Sequence, residues 1–189
     1  MHGRTEGSSD RQGAAVAAGG AAGQQPTVPA TASAAREALR AAVGQLDQAE
    51  VAGCPGKLTL ALARVGACYH AIGALAAAEE SLRQALRSAR TAGSAQLLVG
   101  VLCQLAETAC TIAEQRRHAD PAGARAARER ARDEAFEASS LVLRSIGADW
   151  AVAALLRIGD VLVRCGDHED AELLQVRALE AAGRDTARN

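Results

Sequence analysis

The stretch from residue 62 to residue 92, LARVGACYHAIGALAAAEESLRQALRSARTA, decides the fold that we predict for this chain. Its small and large side chains recur at helical spacing on both sides of Gly73, which interrupts the pattern. Gly66 and Ala78 are small where two helices would cross closely. Bulky residues fill the seam between those helices: Leu62, Val65, Tyr69, Leu82 and Leu86. The stretch therefore predicts a helical hairpin.

The same spacing returns near the C-terminus. Ile158-Gly159, Leu162, Gly166, Ala171 and Ala178 stand at the offsets of Val65-Gly66, Tyr69, Gly73, Ala78 and Ala85. Two independent matches to one template are far rarer by chance than one. A second hairpin is therefore predicted in this region.

A weaker copy lies between these two hairpins. Leu102, Leu105, Ala106 and Ala109 follow Leu62, Val65, Gly66 and Tyr69 by 40 residues. Ala131, Ala135 and Ala138 have the spacing of Ala78, Leu82 and Ala85, at a displacement of 53 residues. The difference between the two displacements predicts about 13 extra residues in the turn between these paired helices.

This order of small and large residues resembles the tetratricopeptide repeat. The 40-residue step resembles the extended repeats of kinesin light chains, rapsyn and bacterial regulators, and Cys165-Gly166-Asp167 is typical of the family's internal turn. The chain departs from the family where Leu62 and Leu155 replace early aromatics and where Gln175 replaces the equivalent of Leu82. The resemblance implies an all-α, tetratricopeptide-like solenoid of helical hairpins, a right-handed superhelix of about seven helices.

The resemblance covers about residues 33–185 and sets the expected domain boundaries. Residues 1–32 are rich in Gly and Ala and have no apolar face, so we expect a disordered tail. The repeat domain then divides into a half-repeat at 33–52, a repeat at 57–92, a repeat with an insertion at 95–146 and a repeat at 150–183, followed by a tail at 186–189. Gly53, Pro55 and Gly56 are expected to end the first helix.

Composition excludes several classes of function. Aromatic residues make up 2 % of the 189 residues, so the core must be built from Ala, Leu and Val, which suits closely packed helices. The 21 basic residues balance 22 acidic ones, and no apolar run reaches the roughly 18 residues that span a bilayer. We therefore expect neither a nucleic-acid partner nor a membrane. Five irregularly spaced cysteines indicate reduced thiols and a cytoplasmic location.

The insertion at 116–134 carries six arginines and four acidic residues. Arg125, Arg128 and Arg132 fall on one helical stripe that could meet phosphates or an acidic partner. However, Arg125 and Arg130 each have a glutamate four residues later, and no aromatic residue is present to stack on bases. A solvated helix is the preferred interpretation.

In the tetratricopeptide family the first helix of each hairpin lines an inner groove. The resemblance therefore implies a partner-binding groove at Arg64, His70, Gln104, Glu107, Arg157, Asp160 and Arg164. Lysines and asparagines that bind peptide carboxylates in co-chaperone members are replaced here by Ala63, Ala67, Cys103 and Gln104, so that function is not predicted. We expect substitution of Arg157 or Glu107 to abolish partner capture and leave helicity intact.

No sequence motif for catalysis, phosphate binding or zinc binding is present, so we predict no catalytic residues, no metal and no cofactor. The expected function is a non-catalytic scaffold or adaptor that binds a protein or peptide partner through its groove. The alternatives are a regulatory module of a signalling or transcriptional regulator and, less favoured, a helical enzyme or metal protein. Leu173, Leu174, Val176 and Leu179 are expected to leave the last helix partly uncovered, which predicts a homo-oligomer through that helix or docking on another chain.

Overall fold

The computed structural model describes residues 30–145, 147 and 149–186, with side chains described for 33–145, 147 and 149–183. Most of the predicted tail at 1–32, together with residues 187–189, lies outside the described residues. The first helix begins at Ala30, three residues before the predicted start of structure.

Seven α-helices, and no β-strand, make up the regular structure of the described ranges. In chain order they are α1 (Ala30–Ala52), α2 (Pro55–Ala71), α3 (Leu75–Ala92), α4 (Ala95–Arg116), α5 (Pro121–Leu143), α6 (Ala151–Cys165) and α7 (His168–Thr186). The prediction of an all-α protein with about seven helices is confirmed. More than half of the buried apolar residues are alanines, as the scarcity of aromatic residues predicts.

The turns inside the first and last predicted hairpins have the same hydrogen bonds. Gly73 and Gly166 adopt left-handed conformations, with φ of 78° and 94°. The Gly73 amide donates to the carbonyl of the residue three positions earlier, and the Ala74 amide donates to the Tyr69 carbonyl five positions earlier, both at 2.9 Å. The Gly166 and Asp167 amides repeat these two bonds at 3.0 and 2.9 Å. Because glycine adopts positive φ without strain, it ends both helices in this way.

The middle hairpin differs from the prediction in where its extra residues lie. They do not form a long loop, since only Arg117–Asp120 separates α4 from α5. Instead α4 and α5 are lengthened to 22 and 23 residues, against 17 and 18 in α2 and α3. Pro121 occupies the first turn of α5, and the Asp120 carboxylate caps that helix by accepting from the Gly123 amide at 2.9 Å.

Each helix packs on its neighbours in the chain, and α4 lies at the centre of the packing. It contacts α2, α3, α5 and α6, and its contact with α5 is the most extensive in the molecule. In the described part of the chain, α4 is also the one helix long and apolar enough to cross a bilayer, but 56 % of its most apolar window is buried within the protein. A central core helix of a globular protein has the same composition.

The helices lie closer together on one side of the protein than on the other. Among the first helices of the hairpins, α4 contacts both α2 and α6 directly. No comparably close approach joins α3 to α5 or α5 to α7 in the part of the chain that is described. Instead, long charged side chains bridge α3 and α5, with Arg90 Nη2 lying 3.1 Å from Glu137 Oε1. The α2–α4–α6 side is therefore the more closely packed side.

Part of the last helix is exposed, as expected. Leu173, Val176 and Leu179 of α7 are 55 %, 50 % and 71 % exposed. Leu174, which was also expected to be uncovered, is buried in the core between α4, α5, α6 and α7. Its position follows from helical geometry, since Leu174 shares a face with the buried Ala171 and Ala178.

Gly66 and Gly159 occupy equivalent contacts in their hairpins. A Cβ on Gly66 would lie 3.4 Å from the Ala78 carbonyl oxygen and 2.6 Å from Leu82 Cγ. A Cβ on Gly159 would lie 3.6 Å from the Ala171 carbonyl oxygen and 3.8 Å from Cγ of Gln175, which stands at the position of Leu82. The two sites therefore share a backbone contact but differ in the space available for a methyl group.

We expect alanine at these two glycines to have opposite effects on stability. Alanine gains about 1 kcal/mol over glycine in a helix. In Gly66→Ala, displacement of the branched Leu82 outweighs this gain, for a net loss of about 1–2 kcal/mol. In Gly159→Ala, the ordinary contacts leave a gain of about 0.5–1 kcal/mol. Urea unfolding of both variants measures the difference, and a shift of the same sign in both would contradict this account.

Glu134 lies on α5, close to charged residues of α3 and of α5 itself. Burial raises the pKa of its carboxyl group to about 7, and the nearby Glu79 carboxylate adds to the effect, while Arg83 and Arg130 oppose it. The Glu134 Oε2 atom is buried without a hydrogen-bond partner in the described structure. Because the folded state holds this proton more tightly than the unfolded state, the contribution of Glu134 to stability falls as pH rises from about 4.5 to 7.

Glu134→Gln should therefore stabilise the protein at high pH. We expect its free energy of unfolding to exceed that of the unmodified chain by about 1 kcal/mol at pH 8, with the difference vanishing near pH 4.5, after allowance for partial solvent screening. The exposed Glu172→Gln serves as the matched control and should change stability by less than about 0.5 kcal/mol. Denaturant unfolding at both pH values tests this, and a pH-independent effect of Glu134→Gln would show the expectation to be wrong.

Candidate functional site

The residues predicted to bind a partner lie on the three first helices of the hairpins. Arg64 and His70 are on α2, Gln104 and Glu107 are on α4, and Arg157, Asp160 and Arg164 are on α6. Because these helices contact one another, their side chains can meet across the helix boundaries. The structure brings most of them together and separates two.

Glu107 and Arg157 form the strongest contact of this surface. Arg157 donates from Nε and Nη2 to the two carboxylate oxygens of Glu107, at 2.5 and 2.7 Å. This two-point pair ties α6 to α4, and both side chains are only partly exposed. The hydrogen bond to Glu107 raises the pKa of the Arg157 guanidinium above its usual value. The two residues therefore join helices, a structural role that their spacing in the sequence does not indicate.

A second set of contacts joins α2, α4 and α6 through two threonines. Thr108 donates its hydroxyl hydrogen to the Gln104 carbonyl, and its Oγ1 lies 3.1 Å from Nδ1 of the His70 ring. The other ring nitrogen of His70 lies 3.4 Å from Thr111 Oγ1. Arg164 donates to the same hydroxyl oxygen at 3.2 Å and from Nε to Glu114 at 3.0 Å.

Arg64 and Asp160 stand apart from these contacts. Arg64 donates to Gln45 Oε1 at 2.6 Å and so connects α2 to α1. Asp160 is exposed on α6, and no ion pair involves it in the described part of the chain. The exposed Leu156 and Val163 lie one turn before and one turn after it. The face of α6 beside the ion pair is thus open and largely apolar.

A crevice of ≈ 290 Å³ lies between α2 and α4, with Arg157 at its edge. It is lined by Ala67, His70, Ala71, Leu82, Gln104, Glu107, Thr108 and Arg157. Gln104 Oε1 is buried here and has no hydrogen-bond partner among the described residues. A buried amide oxygen without a donor costs free energy, so this atom is suited to accept a hydrogen bond from a bound group.

Thr108 is the polar residue that sequence reasoning missed. It follows Gln104 by four residues and therefore shares its face of α4, which is the signal that could have identified it. Cys103, which the resemblance placed in the groove, is instead only 2 % exposed, and so is Cys110, seven residues later on the same face of α4. They pack in the core because α6 lies closely against that side of α4.

The crevice offers hydrogen-bonding side chains rather than a set of metal ligands. Within the described ranges, no three His, Cys, Asp or Glu side chains are close enough together to share a metal ion. The charges at the crevice are largely compensated, because the Glu107 carboxylate is neutralised by Arg157. Such a site is suited to neutral, hydrogen-bonding groups.

Comparisons with known proteins identify neither a family nor a function for this chain. No protein-family model and no curated protein matches the chain. A solved structure described as "DHF58 filament" is similar to it, with 27 % sequence identity over 81 % of this chain and 81 % of that chain. The TM-score of that superposition is 0.49, too low to support an argument about arrangement or function.

We expect Glu107 and Arg157 to be energetically coupled. In a double-mutant cycle of Glu107→Gln and Arg157→Gln, the coupling should be about 1–2 kcal/mol, because the pair is bidentate and partly shielded from solvent. The matched control is Glu80 with Arg87, an exposed pair 4.0 Å apart. Its coupling should be below about 0.5 kcal/mol. Equal coupling in the two cycles, measured by urea unfolding, would show that the Glu107–Arg157 contact does not hold α4 and α6 together.

Proposed function

We propose that this chain is a tetratricopeptide-like helical-hairpin solenoid that acts as a non-catalytic scaffold for a protein or peptide partner. Three observations support the repeat architecture. The turns at Gly73 and Gly166 share their hydrogen bonds, Gly66 and Gly159 face equivalent carbonyl groups, and α2, α4 and α6 lie side by side. In a solenoid, the side on which successive helices approach more closely is the concave one.

The crevice between α2 and α4 is the proposed partner-binding site, and Gln104 is the observation that carries this proposal. Its amide oxygen is buried and unpaired in the described structure, while the crevice opens to solvent past Ala67 and Ala71. An extended peptide can supply a backbone N–H group to that oxygen, since the N–H groups of an extended chain project to its sides. The exposed Leu156 and Val163 of α6 offer apolar contact for a peptide that continues beyond Arg157.

The number and spacing of the cysteines favour a reducing compartment such as the cytoplasm. Five cysteines at irregular spacing leave one unpaired in any full disulfide scheme, and two of them are buried as small core residues. Stable disulfides form in oxidising compartments and stabilise small secreted domains. We therefore place the proposed scaffold, and its partner, in the cytoplasm.

Selection of a displayed peptide library on the full chain tests this function. Peptides selected on the unmodified protein should lose at least tenfold in affinity for Ala67→Arg, because the long side chain fills the mouth of the crevice. Ala38→Arg is the matched control, since Ala38 is also exposed in a helix but lies on α1, away from the crevice. It should bind the peptides with unchanged affinity. Circular dichroism confirms that both variants remain helical.

Two outcomes would contradict the proposal. Equal binding of the selected peptides to Ala67→Arg and to the unmodified chain would place the binding surface elsewhere. Failure of the library to yield any binder above background would show that the crevice does not hold an extended peptide.

A further inference from the structure

Cys110 and Cys165 are the two cysteines whose sulfur atoms are in contact. Their Sγ atoms lie 3.7 Å apart, with Cys110 on α4 and Cys165 at the last position of α6. All five cysteines fall within the described ranges, and no other two of them have sulfur atoms in hydrogen-bonding contact. A disulfide requires an S–S distance of about 2.05 Å, so the two atoms need to approach by about 1.7 Å.

The two thiols differ in their surroundings. Cys110 is 2 % exposed and packs in the core, whereas Cys165 is only partly buried. Cys165 borders a small crevice of ≈ 70 Å³ that opens to solvent and is also lined by Arg125, Arg128, Glu129, Arg132 and Asp167. A water molecule occupies about 30 Å³ of liquid volume, so the crevice accommodates a molecule of roughly two non-hydrogen atoms.

Positive charge around this crevice favours the thiolate of Cys165. Arg132 is ion-paired with Asp167, while no ion pair involves Arg125 or Arg128 in the described part of the chain. The hydrogen bond with Cys110 lowers the pKa of the Cys165 thiol, while burial and the Asp167 carboxylate raise it and the charges of Arg128 and Arg132 again lower it. The same hydrogen bond and burial raise the pKa of the Cys110 thiol. Cys165, the partly exposed thiol beside the crevice, is therefore the nucleophile of the pair, and the buried Cys110 is the thiol that resolves it.

We propose that Cys165 and Cys110 form an oxidative modification site, at which hydrogen peroxide oxidises Cys165 to a sulfenic acid and Cys110 then converts it into an intramolecular disulfide. In the first step the Cys165 thiolate forms a bond to one peroxide oxygen, the O–O bond breaks, and the departing hydroxide takes up a proton to give water. In the second step the Cys110 sulfur forms the S–S bond, the S–O bond breaks, and the hydroxide leaves as water with the Cys110 proton. Overall, two thiols and one peroxide give one disulfide and two waters.

The position of Cys165 makes the required approach feasible. It is the last residue of α6 and precedes Gly166, whose left-handed conformation ends the helix. Helix ends adjust more easily than helix centres, because their last carbonyl groups lack partners within the helix. The other cysteines lack this arrangement. Burial raises the pKa of Cys103 to about 11, and Cys54 is exposed and has no contacting thiol.

Peptide mapping of the full, reduced chain after exposure to a small excess of hydrogen peroxide tests the site. We expect the loss of two hydrogens from the intact mass, a linked peptide pair containing Cys110 and Cys165 as the main product, and its reversal by dithiothreitol. Cys54→Ser is the matched control and should give the same product at the same rate. Linkage of other cysteines, or oxidation of Cys165 no faster than Cys54, would overturn the proposal.

Two further variants test the order of the steps and the role of the arginines. Cys110→Ser should accumulate a sulfenic acid at Cys165, detected as a dimedone adduct, whereas Cys165→Ser should leave Cys110 unoxidised over the same period. Arg128→Gln should slow disulfide formation by roughly threefold or more, since it removes a positive charge near the thiolate. If the sulfenic acid forms at Cys110 instead, the assigned roles are wrong. Should Cys110→Ser fail to fold, Cys165→Ser decides the question, because rapid oxidation of Cys110 in that variant would show the assigned roles to be wrong.

Discussion

Close approach of paired helices, at positions that carry little or no side chain, is the constraint on which the rest of this structure depends. At Gly66 even a methyl group would lie 2.6 Å from Leu82 Cγ, and the facing residue Ala78 is fully buried. A protein with 2 % aromatic residues cannot fill wide gaps between helices, so its helices must pack closely to bury enough apolar surface. The alanine-rich core and the glycine contacts are thus two consequences of the same composition.

Unequal spacing on the two sides of the array decides which kinds of side chain can connect helices there. Where α2 and α4 are in contact, Thr108 and Thr111 of α4 reach the ring of His70 on α2, and the partly shielded Glu107–Arg157 pair joins α4 to α6. Between α3 and α5, arginine and glutamate span the larger gap, and such exposed pairs contribute little to stability. The close side therefore has the ordered polar surface, and order of this kind reduces the entropy lost when a ligand binds.

The sequence predicted the helices well because both the contact positions and the turns left periodic signals. Equal offsets around Gly66 and Gly159 located two hairpins, and their glycine turns have matching hydrogen bonds. The extra residues of the middle hairpin were predicted in the turn, but they lengthen the two helices instead, and Pro121 begins α5. The abundance of Ala, Arg and Glu in residues 121–134 favours helix, and this signal was sufficient to place them within α5.

The candidate site was less predictable, because its geometry depends on how far each helix is shifted along its neighbour. Helical phase placed Glu107 and Arg157 on the correct helices and on related faces. Their pairing depends on the relative shift of α4 and α6, which no spacing within one helix encodes. The same shift determines whether a carboxylate is free to bind a partner or is already neutralised. Gln104, whose amide oxygen lacks a donor, is therefore distinguished from Glu107 only by the three-dimensional structure.

The contact between Cys110 and Cys165 follows from the same packing constraint. A core made largely of alanine needs some residues slightly larger than alanine where neighbouring helices are not in closest contact. Cysteine meets this need because it behaves as a small apolar residue. Cys110 fills such a position on α4, and the end of α6 approaches closely enough to bring Cys165 beside it. Close packing of small side chains thus places a buried thiol next to a partly exposed one. The partly exposed thiol is bordered by arginines of α5, the helix that the extra residues lengthen.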